Sequence, residues 1–481
     1  MRHSILNVSY TLSFAAVLCL APQVFGAPNE QTQSKAGNVT QSKAQAGSVT
    51  QSMSQSGNQL GNANQNGIIS PLPSTPPKPL DPIHEVSDSL AAEAKGGIPL
   101  GDFLVYPEIS AVLMYDDNIY AARENELSDK ILIISPEVRI KPNFTRDSVE
   151  LGVGAHLNRY QDHKAENTSD TWGYLKGRID LTDDTNVYAG VSLLRDHEDR
   201  TSPDTNFLGL TDAFASPTRY TDFSSDIGIF HQLTEDIKVR LGASTTKLNY
   251  ENTPLVSGLT YSNDYRDRTE TLSGGRITYA AAQGIDLFVQ AMNDHRQYDD
   301  PTFDHNSNGY NAAIGMAILA TYSLSAEGYV GRIHQSYDNS AFSDVNTIDY
   351  GLNVKYKMTP TTTLSMDLDR SLEETTITDS SGYLNTALSG NITHAVSHDL
   401  SLHASLTQQW SHYNSYDRKD TYVGGGAGVK YYLTNAIYTA ADYQYRQRNS
   451  TIDTADYNNN IVYITLGTDF GTRAKPTTPA Y

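Results

Sequence analysis

Cysteine occurs once in the 481 residues, as Cys19, inside the first apolar segment. That excludes a disulfide framework and a paired CxxC metal or redox site. A lipoprotein reading of Cys19 is disfavoured by Leu18, which stands where acyl processing wants a small residue. Beyond this segment no run approaches the roughly 18 apolar residues of a membrane helix. Positive charge is also scarce: 35 Lys and Arg against 55 Asp and Glu leave a formal net charge of −20, which argues against nucleic acid as a partner. No Gly-rich phosphate loop of Walker type is present. Tryptophan and phenylalanine are few, 2 and 12, beside 31 tyrosines. Amphipathic rings in that number suit polar–apolar boundaries, although a soluble β-rich protein would share the excess.

The amino terminus reads as an export signal over residues 1–26. Arg2 and His3 precede an apolar core at Leu12 to Leu20, and the small residues Gly26 and Ala27 mark the cut. Residues 27–82 are of low complexity, with Thr-Gln-Ser repeats at Thr32, Thr40 and Thr50 followed by a Pro-rich spacer at Pro71 to Pro79. Such a segment has too little apolar surface to offset its ordering entropy and is expected to be disordered in the periplasm. It is either a tether to a periplasmic partner or a passive linker. A linker over 83–101 holds a possible short helix at Ile83 to Ala94, ended by Gly96 and Gly97.

From 102 to 470 the chain repeats one unit, clearest between Arg146 and Thr185. Val149, Leu151, Val153, Ala155 and Leu157 alternate with Glu150, Gly152, Gly154 and His156, a period of two. After a polar loop, Leu175, Gly177, Ile179 and Leu181 share one face, with Trp172, Tyr174, Lys176, Arg178 and Asp180 on the other. Asp183-Asp184-Thr185 then turns the chain sharply. About 18 such strands follow one another, joined alternately by tight turns and longer polar loops. The turns include Thr234-Glu235-Asp236, Ser397-His398-Asp399 and Thr434-Asn435; the loops include Asp199 to Thr218 and Asn252 to Asp264. Short turns on one side and longer loops on the other are the pattern of outer-membrane barrels. The expected fold is all-β: a transmembrane antiparallel up-and-down barrel of 16–18 strands, with a tail at 471–481. In the last strand, Val462, Ile464, Leu466 and Phe470 form the apolar face that the barrel-assembly machinery would read.

No catalytic constellation stands out, and no cofactor or metal is expected. His394 and His398 straddle a turn and lack the helix and glutamate of a zinc-protease motif. Asp294, Asp299, Asp300 and Asp304, flanked by His295 and His305, invite calcium, as does Asp116-Asp117-Asn118, but solvated acidic loops explain both better. The suggestive residues are basic pairs two apart on polar faces: Lys176 and Arg178, Lys238 and Arg240, Lys355 and Lys357, with Lys430 and Arg446 on similar faces. Facing lipid at mid-membrane they would cost about 2–4 kcal/mol each, so they are expected to line the lumen or lie near an interface. There they would either form a ladder for an acidic polymer or brace the wall against Glu150, Asp180, Asp286, Asp349 and Asp367.

At Tyr115-Asp-Asp-Asn-Ile-Tyr120 and at Arg195-Asp-His-Glu-Asp-Arg-Thr-Ser-Pro-Asp204 the sequence resembles the putative β-barrel porin 2 family, over roughly Gly101 to Phe470. The resemblance implies a barrel in the outer membrane of a Gram-negative bacterium, associated with exopolysaccharide or capsule clusters, and it supplies no catalytic residues. The expectation is an export pore for an acidic exopolysaccharide, in contact with outer-membrane lipid and periplasmic export components. The alternatives are a general diffusion porin or structural barrel and, less favoured, an outer-membrane hydrolase or lipid-modifying enzyme.

Overall fold

The computed structural model describes residues 97–142, 148–202, 213–321, 323–375, 377 and 379–468. The expected signal, the low-complexity segment, the linker helix, Phe470 and the tail at 471–481 lie outside these residues. Eighteen long strands follow one another, each antiparallel to its neighbours. They are β1 (Phe103–Asp116), β2 (Asp129–Pro142), β3 (Ser148–Tyr160), β4 (Thr168–Asp180), β5 (Thr185–His197) and β6 (Arg219–Gln232). Next come β7 (Ile237–Tyr250), β8 (Arg268–Ala282), β9 (Ile285–Tyr298), β10 (Ser307–Thr321), β11 (Leu324–Tyr337) and β12 (Val345–Thr359). The last are β13 (Thr362–Glu373), β14 (Tyr383–Ala395), β15 (Leu400–Tyr413), β16 (Lys419–Tyr432), β17 (Ile437–Ser450) and β18 (Tyr457–Thr468). β18 pairs with β1, from Ser110 opposite Gly467 to Asp116 opposite Ile461, and the ring closes. Within the expected linker, Ile98–Leu100 folds back through Gly101, whose φ is +61°, and pairs with Phe103–Val105. That ribbon is a strand that its short apolar run did not announce.

Alternation decides which side of each strand meets lipid. Val149, Leu151 and Val153 are 42, 41 and 50 % exposed, whereas Glu150 between them is buried. Val462, Ile464 and Leu466 are likewise exposed, with Ile461, Tyr463 and Thr465 buried between them. An apolar outside and a polar inside are what a bilayer demands, because closure pairs the backbone groups that hydrocarbon cannot satisfy. The strands outrun the apolar stretches: alternation suggested Trp172–Leu181, and β4 spans Thr168–Asp180. Its first residues line the mouth, where apolar patterning has no reason to continue.

Small residues inside the wall are covered by large ones across the ladder. Gly152 lies opposite Tyr174 and Gly154 opposite Trp172, and a Cβ added at either glycine would overlap the facing ring. Gly154→Leu is therefore expected to destabilise the barrel by about 1–3 kcal/mol through overpacking. Its heat-modified gel mobility should convert at a lower temperature than that of the wild type.

The two ends of the barrel use different local chemistry. At the short-turn end, the hydroxyl of the first turn residue accepts from the backbone N–H groups two and three residues on. Thr234 does so with Asp236 and Ile237 at 3.3 and 3.0 Å, and Thr434 with Ala436 and Ile437 at 3.2 and 3.0 Å. At the long-loop end, the Asn or Asp just before a descending strand caps the tip of the ascending one. Asn167 accepts from the Tyr160 N–H, Asp267 from Tyr250 and Asn306 from Tyr298, each at 2.7 Å; Asp456 accepts from Ser450 at 2.6 Å. Short polar side chains reach nearby backbone readily, so these loops leave the rim in defined directions.

Candidate pore mouth and lumen

The inward faces carry all six basic candidates, since strand register places Lys176, Arg178, Lys238, Arg240, Lys355 and Lys357 on the same side as the buried polar residues. Their surroundings divide them. Lys176 approaches Glu150 at 3.5 Å, and Glu150 also takes Lys141 at 2.9 Å and the Tyr174 hydroxyl at 2.5 Å. Arg178 holds Asp180 at 2.8 Å, Lys238 meets Asp286 at 3.4 Å, and Arg240 lies 5.6 Å from the centroid of Phe230. The Glu150 and Phe230 contacts brace neighbouring strands, Lys238 reaches across β8 to β9, and the Arg178 pair lies within β4. Lys355 and Lys357 differ: among the described residues neither has a carboxylate within ion-pair distance. Of the acids near them in register, Asp367 accepts from Asn353 at 2.9 Å and Asp349 from Asn311 at 2.5 Å. Lys430 lies 3.9 Å from the Tyr438 ring centroid, and Arg446 donates to Gln444 at 3.0 Å.

At the loop end, two loops turn inward and tie distant strands together. The first follows β5. Glu198 pairs with buried Arg266, and Arg200 pairs with buried Glu166 at 2.8 Å. The carbonyl of Thr201 accepts from Arg448 of β17 at 2.9 Å, with β18 and β1 to β4 lying between β5 and β17 around the ring. Burial alone would raise the Asp199 carboxyl, but Arg446 and the bonds from Thr201 outweigh it and hold the group below its ordinary value. Glu198 behaves oppositely, because its burial outweighs Arg266 and its carboxyl is raised.

The second inward loop follows β13. Glu374 bonds Arg296 and the Tyr298 hydroxyl, both of β9, with β10 to β12 lying between. Arg296 also donates to the Leu372 carbonyl at 3.0 Å and pairs with Asp294 at 2.7 Å. Leu372 packs with Ile333, Tyr337 and Val345, and the ring of buried His305 reaches the Ser380 carbonyl at 3.2 Å. Burial would raise Glu374, but Arg296 and then Arg268 outweigh it, aided by the Tyr298 hydroxyl, and its carboxyl ends below the ordinary value. A depressed carboxylate gives stability that is present above its unfolded value and lost as pH falls through the folded one. Acidification below about pH 4, under the roughly 4.3 of a free glutamate, is therefore expected to release this loop. Protease nicking between 374 and 382, followed against pH, checks it.

The acidic stretches that invite calcium have other partners. Asp116 accepts from the Asn118 N–H at 2.8 Å and from Asn459 at 3.2 Å, and Asp117 takes both the N–H and the amide of Asn460 at 2.7 Å. In the other stretch Asp294 holds Arg296, Asp299 meets Lys247 at 3.4 Å and Asp300 caps Thr302. His394 bonds Thr362 at 2.9 Å and His398 bonds Asp399 at 3.0 Å, each in its own hairpin. Among the described residues one group has metal-ligand spacing, Asp170, Asp196 and His197. There the His197 Nδ1 already stands 3.0 Å from Asp170 and 3.4 Å from Asp196, an ion-paired histidine rather than an open cation cage. The sequence offered no signal for Arg266, Arg296, Glu374 or Arg448, whose partners are far away along the chain.

No curated protein matches the chain. Among solved structures it is similar to OccK2 (OpdF) of Pseudomonas aeruginosa, at 9 % identity and a TM-score of 0.42, over 77 % of this chain and 98 % of that one. It is also similar to OccD3 (OpdP) of the same organism, at 13 % identity and a TM-score of 0.40, over 82 % of this chain and 100 % of that one. The family model described as putative beta-barrel porin 2 matches residues 92–470. Both motifs that carried the resemblance lie at the loop end: Asp116 to Asn118 fasten β18 to β1, and Glu198 to Thr201 form the first inward loop. With an eighteen-stranded closed barrel and that match over most of its length, the chain belongs to the putative β-barrel porin 2 family and is a porin-like outer-membrane barrel.

Proposed function

We propose that this barrel is a non-enzymatic pore through which an acidic exopolysaccharide leaves a Gram-negative cell. The observation that carries the reading is the pair Lys355 and Lys357 on the inward face of β12, close to the short-turn end, with no acidic partner among the described residues. Two cations left without carboxylates offer a polyanion weak, exchangeable contacts, and a polymer held tightly would not move on. Lys176, Lys238 and Arg240 contribute field along the same wall while bracing it, and Arg178 contributes field beside Asp180 of its own strand. In this reading residues 1–26 direct export and are removed, and the segment from 27 to 82 lies in the periplasm near the export components. The apolar face of Val462, Ile464, Leu466 and Phe470 is what the barrel-assembly machinery reads.

A second reading, a structural or general porin barrel, is favoured by the two inward loops that tie β5 to β17 and β9 to the β13 tip. Single-channel recording in a planar bilayer, with and without acidic oligosaccharides, separates the two. Reversible block by the oligosaccharides supports export; steady current indifferent to them supports a general porin; absence of current supports a structural barrel. Lys355→Glu together with Lys357→Glu is expected to weaken that block and to shift the reversal potential in a salt gradient toward cation preference. The shift should be several-fold in permeability ratio, since a unit charge about 4 Å away is worth ~1 kcal/mol even in water.

A further inference from the structure

One seam of the wall is incomplete. β12 pairs with β13 only from Leu352 opposite Leu368 down to Thr359 opposite Thr362. On either side the ladders run to the rim: β12 pairs with β11 as far as Val345, and β13 with β14 as far as Glu373 opposite Tyr383. Above Leu352 the two strands therefore part. Alternation from Leu368 puts Arg370 and Leu372 on the lipid side of β13, yet Leu372 is buried with Ile333, Tyr337 and Val345, which belong to the inner faces of β11 and β12. Arg370 reaches the Thr347 hydroxyl at 3.1 Å and the Tyr350 hydroxyl at 3.4 Å. The tip of the β13–β14 hairpin has thus slipped behind β12 into the barrel, where Glu374 is held by Arg296 and Tyr298.

We propose that this hairpin tip is a gate, which swings out of the mouth by zipping β13 onto the free upper edge of β12. The existing register fixes the zipped state: continuing from Leu352 and Leu368 sets Tyr350 opposite Arg370 and Ile348 opposite Leu372. The exchange is nearly balanced in kind. Zipping adds backbone pairs along 345–351, in the part of the wall where an open edge in lipid is costly. It gives up the Arg296–Glu374 pair and the packing of Leu372. Two packings of one segment that differ by a few kcal/mol make a two-state element. Ile348, 62 % exposed on the outside, is ready to receive Leu372 as its lipid-facing neighbour. The inference rests on the barrel being a conduit and is independent of what it carries.

Cysteine pairs test it. Cys19, the single cysteine in the sequence, is replaced by serine, and Ile348→Cys with Leu372→Cys is introduced; these side chains lie on opposite sides of the wall in the inserted state and opposite each other in the zipped one. Leu352→Cys with Leu368→Cys, already in register, is the control for oxidation. The gate predicts a slow disulfide at 348 and 372, accelerated roughly tenfold by Glu374→Ala as the zipped population rises. It also predicts a conductance increase on oxidation that reductant reverses. A control that cross-links while the 348 and 372 pair stays reduced, with or without Glu374→Ala, overturns the gate and leaves the pore reading untouched. A disulfide that forms without changing conductance overturns it equally.

Discussion

Replacing Glu374 with alanine is expected to cost about 1.5–3 kcal/mol of the inserted loop's stability, the worth of a buried hydrogen bond between charged groups. Arg296 would keep Asp294 and the Leu372 carbonyl but lose one of its two carboxylates, and the Tyr298 hydroxyl would be deprived of its acceptor. The figure stays below the cost of breaking an isolated buried ion pair, because Asp294 still neutralises the guanidinium. Two readouts follow. Single-channel conductance should rise as the loop leaves the mouth, and protease should cut between 374 and 382 already at neutral pH, where the wild type is expected to resist until acidified. Glu374→Gln keeps the shape and one acceptor for Tyr298, and should fall between wild type and alanine. Equal conductance in all three proteins would show that this loop does not limit passage.

The second large effect is expected at the closing seam. Asp116→Ala with Asp117→Ala removes the acceptors for Asn459 and for both donors of Asn460, and frees the Asn118 turn. Hydrogen bonds to charged groups contribute about 1.5–3 kcal/mol each, so the double variant should lose several kcal/mol, short of the simple sum because the two residues are neighbours. Asn118 bridges the seam as well, donating to the Ala122 carbonyl at 2.8 Å on its own side and to the Asn458 carbonyl at 2.9 Å across it. Described pairing at this seam runs only over Ser110–Asp116 and Ile461–Gly467, fewer pairs than β1 makes with β2. Heat-modified mobility on gels should therefore collapse at a markedly lower temperature in this variant, whereas the same two substitutions at Asp183 and Asp184, in a tight turn away from the seam, should leave it nearly unchanged.

The architecture was legible because a barrel in lipid writes itself into alternation. Val149 to Leu157 and Val462 to Leu466 declare an outside and an inside without any knowledge of neighbours, and turn length separates the two ends. Interior pairing was not legible, for a relational reason. That Lys176 faces Glu150 while Lys355 faces no described acid depends on register, and register is a property of two strands. The inward loops were further out of reach: Arg296 and Glu374 are separated by three strands, and Arg448 meets Thr201 just over half the chain away. The Asp116-Asp117-Asn118 motif was visible but open to misreading, since the acceptors that grip two asparagines across the seam are the ones that would suit calcium. Asn167, Asp267, Asn306 and Asp456 could have been recognised as rim markers, each directly preceding a descending strand.

The proposed passage of an acidic polymer through this lumen can be read out as efflux from proteoliposomes. Vesicles holding the Glu374→Ala protein would be loaded with fluorescent acidic oligosaccharides or with neutral ones of the same size. The account predicts faster loss of the acidic set, with the advantage reduced by Lys355→Glu and Lys357→Glu. Equal efflux of both sets, or retention of both while small ions still pass, would contradict it.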